Sequence, residues 1–265
     1  GTILTFFPWG PRVGRGEPGV GQAVTVAFSV PPGALEFWQG RLGALSVEVS
    51  GPIEVFGERR IEMKDPDGLT IALVEDASDG ARRPGAPAAQ IPEGAAVRGF
   101  HSVLLAEEGY AQTAALLPGP LGFRSIGTQD NRMRFQAGNA GGIVDIAVSP
   151  TAPRGRMGTG SVHHVAYRTP DDPSQVAIRG ELLKAGANVT PVIDRQYFHS
   201  IYFREPGGVL FEVATDPPGF AVDETLEELG SELKLPPQYE SQRSLIEQIL
   251  PPISVPAPFT PESVS

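Results

Sequence analysis

Two adjacent histidines and one carboxylate in the last third of the chain are the residues best suited to metal chemistry. His163 and His164 open an apolar segment, and Glu212 interrupts the otherwise apolar run Val209–Val213. A carboxylate buried in such a run must be paired, protonated or bound to a metal. A His and a Glu that project from two strands of one sheet supply two ligands of a site with two His and one carboxylate. The plainer alternative is that Glu212 pairs with a nearby arginine.

A segment of alternating polarity lies between these two candidate ligands. From Ser200 to Arg204 polar and apolar residues alternate, which places Ser200, Tyr202 and Arg204 on one face of a strand. A tyrosine beside a metal can bond a ligand oxygen or move its proton, and an arginine can fix an anionic oxygen. Both residue types are also common on half-exposed strands, so composition alone does not identify a site.

The elements that would position these residues repeat three times along the chain. Each copy shows an apolar strand, a short helix, and then strands that end in a glycine turn and a hydrophobic strand. The turns Asp65-Pro66-Asp67-Gly68 and Glu205-Pro206-Gly207-Gly208 are the clearest matched pair. This repeated order of strands and helices predicts an α+β protein built of βαβββ modules.

The modules and their connections divide the chain into six parts. The parts are the end of an incomplete first module with a loop (1–22), a second module (23–78), a linker (79–97), a third module (98–150), a fourth, metal-bearing module (151–216) and a tail (217–265). Residues 1–7 are typical of a buried strand, and because domains seldom begin on a core strand, we expect a segment before Gly1. Helices are expected at Ser174–Ala185, between Pro173 and Gly186, and at Ser241–Leu250 in the tail.

The three copies act as controls for one another. In the second module the positions that match His164 and Glu212 hold Thr25 and Ala72. The third module keeps a histidine, His101, but has Ile146 where the carboxylate would be. The architecture therefore does not require a glutamate, which favours a functional role for the pair in the fourth module. His101 is interpreted as structural.

Composition excludes several classes of function. The chain has 265 residues, a formal net charge of −10 and no cysteine. An acidic protein is poorly suited to a polyanion, so nucleic acid is not expected as a partner. Apolar runs are too short for a membrane span, and disulfides and thiolate sites are impossible. These features predict no membrane partner and are compatible with a cytoplasmic location.

Two segments resemble a known family. Residues 160–167 and 206–213, with their His-His and Gly-Gly…Phe-Glu motifs, resemble the last module of the vicinal-oxygen-chelate superfamily, which includes glyoxalases, bleomycin-resistance proteins and extradiol dioxygenases. Residues 1–8, 98–102, 194–198 and 245–248 resemble, more narrowly, its branch of ring-cleaving dioxygenases that open hydroquinones.

The resemblance implies four βαβββ modules in curved mixed sheets, and Fe(II) bound by two His and one Glu. It places His164 and Glu212 as metal ligands, Tyr202 and Arg195 in the substrate pocket, and His163 close by as an acid–base group. In the family the other His ligand comes from the first strand of the first module. This sequence lacks that strand, so it carries two of the three ligands.

The leading hypothesis is therefore an Fe(II)- and O2-dependent ring-cleaving dioxygenase that acts on hydroquinone-type aromatics. Mn, Zn or Ni are the alternative metals. Two other functions stay open: a glyoxalase-type metal-dependent isomerase or lyase, and a non-enzymatic protein that binds a quinone or a drug. The expected partners are a small aromatic substrate and O2, and exposed strand edges also make a homo-oligomer plausible.

Overall fold

The computed structural model describes residues 2–7, 13–78, 82, 84, 91–138 and 141–250. Three βαβββ units follow one another along the chain. The second module holds β1 (Gln22–Val30), α1 (Leu35–Ala44), β2 (Val49–Val55), β3 (Glu58–Lys64) and β4 (Thr70–Glu75). The third holds β5 (Gly99–Glu107), α2 (Ala111–Leu116), β6 (Arg124–Gln129), β7 (Arg132–Gln136) and β8 (Ile143–Val148). The fourth holds β9 (Val165–Thr169), α3 (Asp172–Lys184), β10 (Ile193–Asp194), β11 (Phe198–Arg204) and β12 (Leu210–Pro218), and the tail holds α4 (Arg243–Ile249).

The modules share one topology, in which the last strand returns to lie parallel to the first. This pairing joins β4 to β1, β8 to β5 and β12 to β9. Antiparallel pairing of β1 with β5 fuses the second and third modules into one eight-stranded mixed sheet, in the order β2-β3-β4-β1-β5-β8-β7-β6. The fourth module forms a separate sheet in the order β10-β11-β12-β9. The predicted α+β fold of repeated βαβββ modules is confirmed, whereas the six-part division of the chain stays a prediction.

Contacts across the eight-stranded sheet show how strongly it curls. Arg134 on β7 lies 2.5 Å from Glu58 on β3, although four strands separate β7 from β3. Arg134 also makes two bonds of 2.8 Å to Asp145, and both residues are buried. A buried ion is tolerated only when it is paired. The two carboxylates therefore stabilise the buried Arg134, and the contact with Glu58 links β7 to β3 across the curled sheet.

Local sequence signals account for the helix of the fourth module. The Asp171 side chain accepts a hydrogen bond of 2.8 Å from the backbone N–H of Ser174, which caps α3, and Pro173 lies in its first turn. Gly186 follows the helix with φ of 84°, in the left-handed region that glycine adopts without strain. The predicted helix at Ser174–Ala185 is thus present with slightly earlier bounds. The tail helix, predicted at Ser241–Leu250, is shorter.

The start of the chain differs from the prediction. Thr2–Phe7 form no strand and are exposed, with Ile3 59% and Phe6 71% exposed. Apolar sequence alone therefore failed to predict burial, because no strand among the described residues pairs with this segment. Gly1, residues 8–12, most of 79–90, residues 139–140 and all of 251–265 lie outside the described residues, as do the predictions that fall on them. None of the helices in the described ranges is long and apolar enough to cross a bilayer.

The third and fourth modules share one hydrophobic core. Leu105, Phe123 and Phe135 of the third module pack in the same cluster as Ile201 and Phe211 of the fourth. Because apolar burial is the largest favourable term in folding, this shared cluster fixes the four-stranded sheet against the third module.

A buried carboxyl pair lies at the same boundary. Thr113 Oγ1 on α2 is 2.9 Å from Glu107 Oε2 and 2.6 Å from Glu205 Oε2. A hydroxyl has one proton and can donate to only one of two carboxylates. Glu205 also accepts the backbone N–H groups of Gly207 and Val209, so Glu107 is the carboxyl of the pair that keeps a proton. Burial, and then the charge of Glu205, raise the pKa of Glu107 to about 8.

We expect the folded protein to lose stability as the pH rises towards 8. The pKa of Glu107 is about 8 in the folded state against an ordinary 4.5. The contribution of this carboxyl to the free energy of unfolding is therefore complete below pH 4.5 and is lost as the pH rises from 4.5 to about 8. Glu107→Gln should flatten the pH dependence of the free energy of unfolding, measured with urea, by up to about 1 kcal/mol per pH unit. Glu227→Gln, at an exposed carboxyl, is the control. Equal slopes for wild type and Glu107→Gln would contradict this assignment.

Candidate active site

The site is built around Glu212, which occupies the central part of the four-stranded sheet. Its strand, β12, lies between β11 and β9, and Glu212 is in register with Tyr202 on one side and Ala166 on the other. Residues directly opposite on neighbouring strands share a face of the sheet. Glu212 is 3% exposed, so the sequence-based prediction of a buried carboxylate is met by the structure.

The two carboxylate oxygens of Glu212 have different partners. Oε1 accepts hydrogen bonds from Ser200 Oγ and, at 2.9 Å, from the hydroxyl of Tyr202. Oε2 lies 2.8 Å from His164 Nε2. Burial raises the pKa of Glu212, but the bonds from His164, Ser200 and Tyr202 outweigh it and leave the pKa below its ordinary value. The carboxylate is thus held ionised, with one oxygen turned towards His164.

The histidine doublet lies just before β9. We expected it inside the opening strand, but the strand begins at Val165 because the two histidines precede the first residues that pair with β12. His163 Nδ1 is 2.8 Å from His164 Nδ1. Burial, followed by the charges of His164 and Arg204, lowers the pKa of His163. His163 therefore favours the neutral imidazole.

Tyr202 and Arg195 lie on the same side of the sheet as the doublet. The Tyr202 ring stands edge-on to the His164 ring, with the ring centroids 5.9 Å apart. Arg195 Cζ lies 5.3 Å from the centroid of the Tyr202 ring, within range of a cation–π interaction. Burial, and then the charge of Glu212, raise the pKa of Tyr202, so its hydroxyl keeps a proton at neutral pH. The structure thus brings together all five residues chosen from the sequence.

The donor set of His164 and Glu212 fits a divalent transition metal. Their facing atoms are 2.8 Å apart, close to the spacing of about 3 Å between neighbouring ligands that each lie about 2.1 Å from one ion. A histidine that binds metal through Nε2 carries its proton on Nδ1, where a second-shell acceptor normally receives it. His163 Nδ1 is in place to be that acceptor. Ser200 and Tyr202 orient the other oxygen of the Glu212 carboxylate, Oε1.

A third ligand is not part of this cluster. Within the described ranges, no group of three or more His, Cys, Asp or Glu side chains could hold a metal ion. The other two histidines lie elsewhere: His101 is buried against Ser102 and Glu58, and His199 pairs with Asp172 at 2.6 Å. The described residues therefore bring together two candidate ligands, His164 and Glu212, and their assignment to a metal stays a prediction.

A cavity of about 220 Å³ adjoins His163. Its walls combine apolar side chains with a few polar groups, a composition typical of small-molecule sites. The lining residues include Gln22, Val162, His163, Arg204, Val209 and Leu210. The cavity therefore touches the candidate site at His163.

Two features escaped the sequence analysis. Ser200 was placed on the face of Tyr202, but its bond to Glu212 was not foreseen because an ordinary serine on a strand carries no distinguishing signal. In the third module the buried carboxylate is Asp145, one residue before the Ile146 that the repeat alignment indicated. Asp145 pairs with Arg134, so it serves the structure of the sheet.

Comparison with known proteins relates the chain to one family. The family model described as Glyoxalase/Bleomycin resistance protein/Dioxygenase superfamily matches residues 99–213. "Putative ring-cleaving dioxygenase MhqO" of Bacillus subtilis is 43% identical over 257 residues, which are 96% of this chain and 80% of that protein. "Chlorohydroquinone/hydroquinone 1,2-dioxygenase" of Sphingobium indicum is 34% identical over 248 residues, which are 91% of this chain and 76% of that protein.

Solved structures show the same relationship. The crystal structure of a "putative dioxygenase" from Bacillus subtilis superposes with a TM-score of 0.89 at 41% identity, and the match covers 96% of this chain and 81% of that one. Glyoxalase I from Zea mays superposes with a TM-score of 0.54 at 13% identity, and covers 76% of this chain and 70% of that one. The second similarity shows a shared fold only.

We expect His164→Gln to weaken binding of Fe(II) or Co(II) by at least about tenfold, because it removes one of the two candidate ligands that converge here. Metal affinity is measured by anaerobic calorimetry, with bound metal counted by elemental analysis. His199→Gln is the matched control, since it removes a histidine that pairs with Asp172 in the same module. Equal metal affinity in wild type and His164→Gln would rule out this site.

Proposed function

This chain belongs to the glyoxalase/bleomycin resistance protein/dioxygenase superfamily, and we propose that it opens the aromatic ring of hydroquinones with Fe(II) and O2. The superfamily is metal-dependent. One observation carries the proposal: the buried carboxylate of Glu212 faces the His164 imidazole at 2.8 Å. The ring-cleaving names of relatives that match nearly the whole chain support the same reaction.

His164 and Glu212 would hold the iron. Fe(II), when bound, supplies a redox centre with open positions for a substrate oxygen and O2. Ser200 keeps the Glu212 carboxylate oriented through its bond to Oε1, and Tyr202 adds a second bond there while no substrate takes its hydroxyl. This support leaves Oε2 turned towards His164, where the two side chains would hold the ion.

The remaining three residues would act on the substrate. Tyr202, beside His164, can turn its hydroxyl from Glu212 to an oxygen of the hydroquinone. Arg195 adds a fixed positive charge on the same side, which stabilises the ionised form of that oxygen. His163 lines the adjoining cavity and would donate a hydrogen bond from Nε2–H to an oxygen of the substrate, since its Nδ1 accepts from His164. The adjoining cavity, with its apolar wall of Val162 and Leu210, would receive the ring or a small substituent.

A hydroquinone-binding protein without enzymatic activity is the second candidate. It is favoured by one observation, that the described residues bring together two candidate metal ligands, His164 and Glu212, and no group of three. A binding protein would take up hydroquinone equally well in the presence of a chelator and would consume no O2. Turnover of a hemithioacetal without O2 would instead identify the isomerase class.

The test is O2 uptake by the iron-loaded protein with methylhydroquinone. We expect one O2 consumed for each hydroquinone lost, because both oxygen atoms enter the product as the ring C–C bond breaks. Tyr202→Phe should lower kcat about 100-fold, since it removes the hydroxyl that bonds the substrate. Tyr110→Phe, at an exposed tyrosine before α2, is the matched control. No O2 uptake with iron confirmed in the protein would refute the proposed function.

A further inference from the structure

The turn that carries Arg195 has an unusual backbone. Residues 195–197 join β10 to β11, and Gln196 adopts φ of 69°, in the left-handed region. A residue with a Cβ is unfavourable there and keeps that conformation only where its surroundings hold it. One support comes from within the turn, where the Gln196 N–H donates to Asp194 Oδ1 at 2.7 Å.

The rest of the support comes from the segment after β12. Asp223 Oδ2 accepts two hydrogen bonds, from Gln196 Nε2 at 3.1 Å and from the Tyr197 hydroxyl at 3.0 Å. The Phe220 ring stacks on the Tyr197 ring, with centroids 5.1 Å apart and an interplanar angle of 22°. The Gly219 N–H donates to the Tyr197 carbonyl at 2.9 Å. Both residues that follow Arg195 are thus fixed by the 219–223 segment.

The position of the Arg195 guanidinium depends on this turn. Its backbone N–H donates to the Phe198 carbonyl at 2.9 Å, and its carbonyl accepts from the Tyr197 N–H at 2.8 Å. The side chain is exposed and reaches over the Tyr202 ring. An exposed arginine has many rotamers, so a defined position over Tyr202 requires a fixed backbone at its base.

We propose that Asp223 is a positioning residue for Arg195, and that with Phe220 it holds the 195–197 turn in the form that lays the guanidinium over Tyr202. This inference rests on the proposed function, because Arg195 binds a substrate oxygen there. Asp223 touches no residue that would hold metal, so its loss acts on substrate affinity and leaves iron binding intact.

Steady-state kinetics of the iron-loaded protein test this role. Asp223→Ala should raise KM for methylhydroquinone about tenfold, with kcat within about twofold and bound iron unchanged. Asp223→Asn keeps an oxygen acceptor and should recover most of the affinity. Glu227→Ala removes a nearby exposed charge and should match the wild type.

A double-mutant cycle separates action through Arg195 from a general effect on the fold. In an Arg195→Ala background Asp223→Ala should change KM less than about twofold, because the side chain that it positions is already absent. A rise in KM as large as in the wild-type background would overturn the proposal.

Limited trypsin digestion gives a readout that needs no activity. We expect Asp223→Ala to speed cleavage after Arg195 at least about fivefold, while cleavage after Arg179 in α3 stays unchanged, both followed by mass spectrometry. If trypsin cleaves Asp223→Ala after Arg195 and after Arg179 at the same rates as the wild type, the proposal is overturned. If the iron-loaded wild type consumes no O2, ring cleavage is refuted on its own, and cleavage after Arg195 still decides the role of Asp223.

Discussion

The contact between Glu212 and His164 constrains the rest of the candidate site. A carboxylate in the middle of a buried strand is costly unless several donors face it. Here Ser200 and Tyr202 on the neighbouring strand take one oxygen, and the imidazole takes the other. These positions require β9, β11 and β12 to pair in the observed register, because a slip by one residue would turn Glu212 into the hydrophobic core. The contacts of Glu212 therefore form only when these three strands pair in the observed order and register.

The repeated fold could be predicted from the sequence because each module carries strong local signals. Alternating apolar strands, glycine turns and helix stops such as Gly186 act over a few residues and need no knowledge of distant contacts. The prediction of a buried strand at the start of the chain was wrong because it depended on a distant contact. Ile3 and Phe6 have the composition of a core strand, but a strand also needs a partner, and composition does not reveal whether one is present.

The site was predictable where a residue type was improbable in its context. Glu212 interrupts an apolar run and His164 belongs to a doublet, so both stand out. Ser200 and Asp223 do not, since serine on a strand and aspartate in a tail are ordinary. Their importance comes from contacts over 12 residues to Glu212 and 26 residues to Tyr197, which only the folded chain defines. The role of Arg195 came from family resemblance alone, and the roles of all five site residues stay predictions.

The ion pairs inside the eight-stranded sheet have a consequence for engineering. The repeat offers a second curved surface, yet the ion pairs of Arg134 with Asp145 and Glu58 cross it. Replacing Asp145 in order to graft a catalytic centre there would leave the buried Arg134 without one of its two carboxylate partners, at a cost of up to roughly 3–5 kcal/mol. A designer would have to exchange the whole set for apolar side chains first. In the eight-stranded sheet the charged side chains on this surface thus stabilise the fold, and they are not available to form a second reactive centre.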